Sequence, residues 1–160
     1  MVDRVATGMV AGAAGTVALN IATYVDMALR GRPPSQTPAQ VAGDLAQRVG
    51  IDLNPGDQES DEALAAAEQR RSGLGSLMGY VVGLGVGAGY GLVRPFVKSS
   101  LALDGAALGL AAMLASDAPS VALGKTNPAT WGFAGWAADV VPHLAYGLVA
   151  AVVYAAFTDG

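Results

Sequence analysis

The chain has no cysteine, which excludes disulfides, thiolate metal sites, iron–sulfur clusters and cysteine nucleophiles together. Histidine is almost missing too, with one copy at His143, so haem held by two histidines would need two copies of the chain. Charged side chains make up only 14% of the residues and the formal net charge is −4. The few basic residues are scattered rather than gathered into a patch, which argues against nucleic acid as a partner. Outside one central stretch the charges are too sparse for a water-soluble domain, and residues 1–160 read as one integral membrane domain. No arrangement of nucleophile, base and oxyanion donors can be recognised, so no catalytic residue, enzyme activity, cofactor or bound metal is expected.

What the chain does have is apolar surface and glycine: 52% of its residues are hydrophobic and 22 are glycine. The mean hydropathy is +0.42. Apolar runs with few charges predict four transmembrane helices, at about residues 5–29, 73–94, 101–123 and 131–157, the third with Asp104 and Asp117 inside it. The first run is too long for the short apolar region of a signal peptide, which predicts an uncleaved helix. Pro119 is expected to break the last turn of the third helix. Trp131 and Trp136 suit an interfacial aromatic belt where the fourth begins.

Glycine is ordered along the second run. Gly75, Gly79, Gly83, Gly87 and Gly91 recur at four-residue spacing in a segment without charge from Ser72 to Val93. At about 1.5 Å rise per residue they cover roughly 24 Å, most of a hydrocarbon core about 30 Å thick. In lipid, apolar side chains gain little by leaving acyl chains for another helix, so helices associate where small residues let backbones approach. The stripe therefore reads as a glycine zipper. Gly8 and Gly12, Gly105 and Gly109, and Gly147 and Ala151 repeat the spacing elsewhere. The expected fold class is an all-α membrane protein, a tightly packed glycine-rich up-down bundle of four helices.

Residues 31–72 form a polar loop with two predicted helices, at about 37–49 and 58–72. Thr37 and Gln40 have the spacing of a capping box with Pro38 at the first helical position, and Gly50 suits a stop. Val41, Leu45 and Val49 would give the first of these helices an apolar face against the membrane surface or the bundle. The acidic run Asp57, Glu59, Asp61 and Glu62 favours the start of the second, which nothing stops from continuing through Arg70 and Arg71 into the zipper. Arg30, Arg32, Arg48, Arg70, Arg71 and Lys125 flank this loop side, against Arg4, Arg94 and Lys98 on the other. The positive-inside rule then makes the long loop cytoplasmic and turns both termini outward.

Ionisable residues inside spans mark candidate sites. Asp26, Asp117 and Asp139 come from three segments yet fall toward one side of an up-down bundle, and His143 and Tyr146 follow Asp139 at helical spacing. These five form the candidate polar or ion site. The competing reading has the aspartates neutralised by nearby arginines or Lys125, with His143 as a hydrogen-bonded strut. Asp104, preceded by Ser99 and Ser100, reads as part of a helix start. A carboxylate-plus-histidine site for Mg, Mn or Fe matches no specific spacing.

The segment Gly124-Lys125-Thr126-Asn127-Pro128, followed by Trp136, Asp139, His143, Tyr146 and Gly147, resembles the last third of YagU-like bacterial inner-membrane proteins. That family tends to carry glutamate where this chain has Asp139, so the acid is kept. The resemblance covers the C-terminal half and implies a multi-pass protein of the bacterial plasma (inner) membrane, but no reaction. The leading functional expectation is a non-enzymatic protein in the lipid bilayer, a homo-oligomer or an accessory or scaffolding subunit of a larger membrane complex. The alternative is a small proton, cation or solute channel or transporter using the Asp/His cluster, and an intramembrane enzyme ranks third.

Overall fold

A computed structural model of the chain describes residues 3–53 and 60–158. The described residues form helices and turns without strands. Five α-helices follow one another: α1 (Arg4–Arg30), α2 (Thr37–Arg48), α3 (Asp61–Val93), α4 (Leu101–Ala122) and α5 (Gly132–Thr158). Short 3₁₀ turns, Arg94–Phe96 and Pro128–Thr130, flank α4. All but α2 are long and apolar enough to cross a membrane.

The helix ends follow from local chemistry. Asp3 caps α1 by accepting from the amides of Val5 and Ala6, and Gly31 closes it with a left-handed φ of 61°. Ser60 and Ser100 cap α3 and α4 in the same way. The expected Thr37–Gln40 capping box does not form, because Gln36 occupies the cap position and Thr37 already lies in the first turn. Ser35 instead accepts from the Thr37 amide. Gly50, at φ 83°, does follow the end of α2. The two expected helices on either side of Arg71 are one continuous helix, α3; Asp57, Glu59 and the expected start at 58 lie outside the described residues. Pro119 does not break α4, which continues to Ala122. Hydroxyls of Ser116 and Ser120 bond back to the carbonyls of Ala112 and Ser116, the kind of local adjustment that lets a helix bend past a proline.

Contacts fix the directions of the long helices. Gly8 lies against Gly87 and Gly12 against Gly83, so α1 and α3 run antiparallel. Gly105 meets Leu148 and Gly109 meets His143, so α4 and α5 are antiparallel too. Tyr146 and Tyr154 reach the carbonyls of Gly83 and Gly91 with a constant offset in sequence, which makes α5 parallel to α3. Helix α1 thus packs between α3 and α5, and α4 lies on the far side of α5 with a lighter contact to α3. The apolar core is built from Ala11, Leu108, Ala112, Tyr146, Ala150, Ala151 and Tyr154.

Glycine determines how close these helices come. A β-carbon at Gly87 would stand 2.8 Å from Gly12 Cα, closer than real contacts allow, and one at Gly109 would stand 2.7 Å from the His143 carbonyl oxygen. The five-glycine stripe of α3 does not act as one unit, however. Gly83, Gly87 and Gly91 face α1, Gly75 faces Pro38 and Ala39 of α2, and Gly79 has open space where its side chain would be. It falls between the two partners of α3.

Helix α2 lies mainly against α3 and buries Ala39, Val41, Ala42 and Ala46, while Leu45 and Val49 are exposed. Of the expected Val41–Leu45–Val49 face, Val41 is buried in the bundle while Leu45 and Val49 are left for the membrane surface, and the small alanines suit the close approach at Gly75. Lys125 pairs with Asp44 at 2.8 Å and ties α2 to the end of α4.

The contrast along α3 gives a direct test. Gly83→Leu should lower the thermal midpoint in detergent sharply, by more than the roughly 1–3 kcal/mol usual for overpacked soluble cores, because two backbones must separate. Gly79→Leu should leave it nearly unchanged. Equal effects of the two substitutions would contradict this packing.

Candidate functional site

The antiparallel order gathers the ends of the long helices into two polar regions. At one lie the C-terminal turn of α1, α2, the first turns of α3, the end of α4 and the start of α5. At the other lie the start of α1, the end of α3, the start of α4 and the end of α5.

The first region holds the sequence-derived candidates, but it does not bring all five together. Asp117 on α4 neighbours both Asp139 and His143 on α5. Asp26 is held separately, with one carboxylate oxygen 3.0 Å from Arg30 Nε and the other 2.5 Å from Arg32 Nε. Arg30 also reaches across to the carbonyl of Ala134, so this cluster fastens the end of α1 to the start of α5. Tyr146 does not join the acids either. It is 1% exposed, and its hydroxyl donates to the Gly83 carbonyl at 2.6 Å. Seven residues separate it from Asp139, about 10 Å along the helix, and a glycine carbonyl left open by the missing side chain accepts its hydrogen bond.

Around His143 the geometry defines the chemistry. Nδ1 lies 2.8 Å from the Asp139 backbone carbonyl and 3.3 Å from its Oδ1. A carbonyl oxygen only accepts, so Nδ1 must carry a hydrogen. Nε2 faces the Ser116 hydroxyl at 3.4 Å. Ser116 is also within reach of the carbonyls of Ala112 and Met113. In a neutral imidazole Nε2 accepts from Ser116; in an imidazolium it donates, and the serine proton turns to a carbonyl. The second oxygen of Asp139, Oδ2, is buried and meets no fixed donor, and the Asp117 carboxyl stands within hydrogen-bonding reach of Asp139. Spacing along α5 revealed the Asp139–His143 pair, whereas Ser116 carries no signal of its own in the sequence.

The cluster is small and not arranged as a metal centre. Among the described residues no group of three or more histidine or acidic side chains is placed to hold a metal ion. Beside it, Trp131 and Trp136 pack ring against ring at 5.0 Å, and Trp131 Nε1 donates to Thr126 at 2.8 Å. Phe133, 91% exposed, projects from the same turn. Such amphipathic rings suit the depth of lipid headgroups.

At the opposite end the structure reveals a network that the sequence reading passed over. Asp104, 6% exposed, pairs with Arg94 at 3.0 Å and accepts a hydrogen bond from Ser99. Arg94 also donates to the Tyr90 hydroxyl at 3.1 Å. Asp104 does sit in the first turn of α4, as its helix-start reading has it, but it also joins the end of α3 to that turn. The nearby Arg94 was the available signal, since only a short connection separates the two in sequence.

The chain matches no protein-family model, no curated protein and no solved structure. Its chemistry rests on these residues alone.

His143→Gln removes contacts on both ring nitrogens and should cost about 1 kcal/mol of stability. Asp139→Asn removes a charge whose Oδ2 meets no fixed donor and should leave the thermal midpoint unchanged or raised. A large loss with Asp139→Asn would show instead that an ion pair holds α5 in place.

Proposed function

We propose that this chain is a non-enzymatic component of the bacterial inner membrane, a four-span glycine-zipper bundle that associates side by side with further helices, its own or those of a larger complex. The observation that carries the reading is the outer side of α3. Gly85 and Gly89 stand four residues apart with nothing within 4 Å of where their side chains would be. The glycines facing α1 and α2 are already used inside the chain. The open pair, bordered by exposed Val81 and Leu92, offers another helix the close backbone approach on which association in lipid depends. The resemblance of the C-terminal half to YagU-like proteins supports the bacterial plasma membrane as its location and adds no activity.

Gly85→Leu combined with Gly89→Leu should leave the thermal midpoint of the chain unchanged while removing its larger species. Native mass spectrometry after gentle extraction would report whether those species contain copies of the chain or a stoichiometric partner. Identical assemblies for parent and variant would sink the proposal.

The charge distribution supports a cytoplasmic α2 and outward termini. Since the chain lacks cysteine, single-cysteine labelling is free of background. A cysteine at exposed Gln47 should react with membrane-impermeant reagent only after the cells are opened, and one at exposed Val97 should react in intact cells. The reverse pattern would invert the topology.

A second reading, proton or cation transport, is favoured by one observation, the buried oxygen of Asp139 that meets no fixed donor beside Asp117 and His143. Against it stands the apolar core around Tyr146, which separates this cluster from the other end of the bundle. If transport nevertheless occurs, Asp139→Asn and His143→Gln should fold normally and abolish pH-dependent flux in reconstituted vesicles. Flux equal to that of empty vesicles for the parent chain would eliminate the reading.

A further inference from the structure

A cavity of about 500 Å³ opens at the end of the bundle away from α2, where the long helices emerge from their apolar stretches. Neither side-by-side packing nor the acid–histidine cluster makes use of it. Arg4, Arg94 and Lys98 all line it, together with Tyr90, Ser99 and Asp104. Asp104 is the only acid among the described lining residues and offsets only one of the three cations. Asp3, at the start of α1, is turned to the amides of its own helix.

The cavity has a prepared wall. Arg94 Nε is fixed by Asp104 and by the Tyr90 hydroxyl, and Nη1 donates to the Val97 carbonyl at 2.7 Å. Asp104 is itself buried and steadied by Ser99. The guanidinium is therefore held in one orientation. Arg4 and Lys98 make no ion pair with any described residue, so their charge is available to a ligand. An oriented guanidinium with two further cations suits an anion that presents several oxygens, and the volume lies within the roughly 300–1,000 Å³ typical of small-molecule sites.

We propose that this pocket binds a phosphate-bearing anion, either the headgroup of an anionic phospholipid or a soluble phosphate ester. The full chain in neutral detergent provides the test. Short-chain phosphatidylglycerol should raise its thermal midpoint and phosphatidylcholine of equal chain length should not. Glycerol 3-phosphate separates the sources: stabilisation by it as well identifies a soluble ester, and stabilisation by phosphatidylglycerol alone identifies a lipid headgroup. Arg4→Gln combined with Lys98→Gln touches no internal ion pair, so it should leave the unliganded midpoint unchanged and weaken phosphate binding at least about tenfold. Arg94→Lys keeps the charge beside Asp104 but loses the fork, and should weaken binding as well. Failure of both phosphate compounds to stabilise the parent would overturn the proposal, as would a response of the double variant equal to that of the parent.

Discussion

Everything else in this fold depends on the contact of one helix backbone with another. Between α1 and α3, and again between α4 and α5, glycines remove the side chains that would hold the helices apart. The apolar effect that assembles a soluble bundle has little purchase among acyl chains, so dispersion over a close, extended contact must supply the attraction. The same closeness exposes carbonyl oxygens to side chains of neighbouring helices. Tyr146 and Tyr154 use two such oxygens, at Gly83 and Gly91, and so set the rotation of α5 relative to α3.

Much of this architecture was legible in the sequence because charge and hydropathy write it in long runs. Four helices long and apolar enough to cross a membrane are present, and a short helix follows the first of them. The details that differ were decided by neighbours. Spacing alone put Gly79 in the same stripe as Gly83, but whether a glycine is used depends on which helix lies opposite, and α1 and α2 leave a gap there. Local rules also favoured Thr37 as a cap, whereas Gln36 takes that position, and the docking of α2 on α3 buries its alanines. For the candidate site, helical spacing paired Asp139 with His143 but could not say where Tyr146 would find a partner. That partner lies on α3, far away in sequence.

The polar groups are divided rather than pooled. Asp117, Asp139 and His143 occupy one end of the α4–α5 pair, and Asp104 with Arg94 occupies the other. Leu108, Ala112, Tyr146 and Ala150 fill the space between. An ionised group is easiest to keep where water or headgroups are near, and this arrangement leaves the middle of the bundle to small apolar side chains. Each end also acts as a fastening: Asp26 with its two arginines at one, Asp104 with Arg94 at the other.

The length of α3 has a mechanical consequence. Its 33 residues span about 50 Å, well beyond a hydrocarbon core of roughly 30 Å. It is gripped by α1 along Gly83, Gly87 and Gly91, and by α2 at Gly75. Between the grips, at Gly79, nothing stands within 4 Å of where a side chain would be. Because α3 is one continuous helix, a displacement of its polar end by α2 would be carried along the same rod to the turn at Arg94.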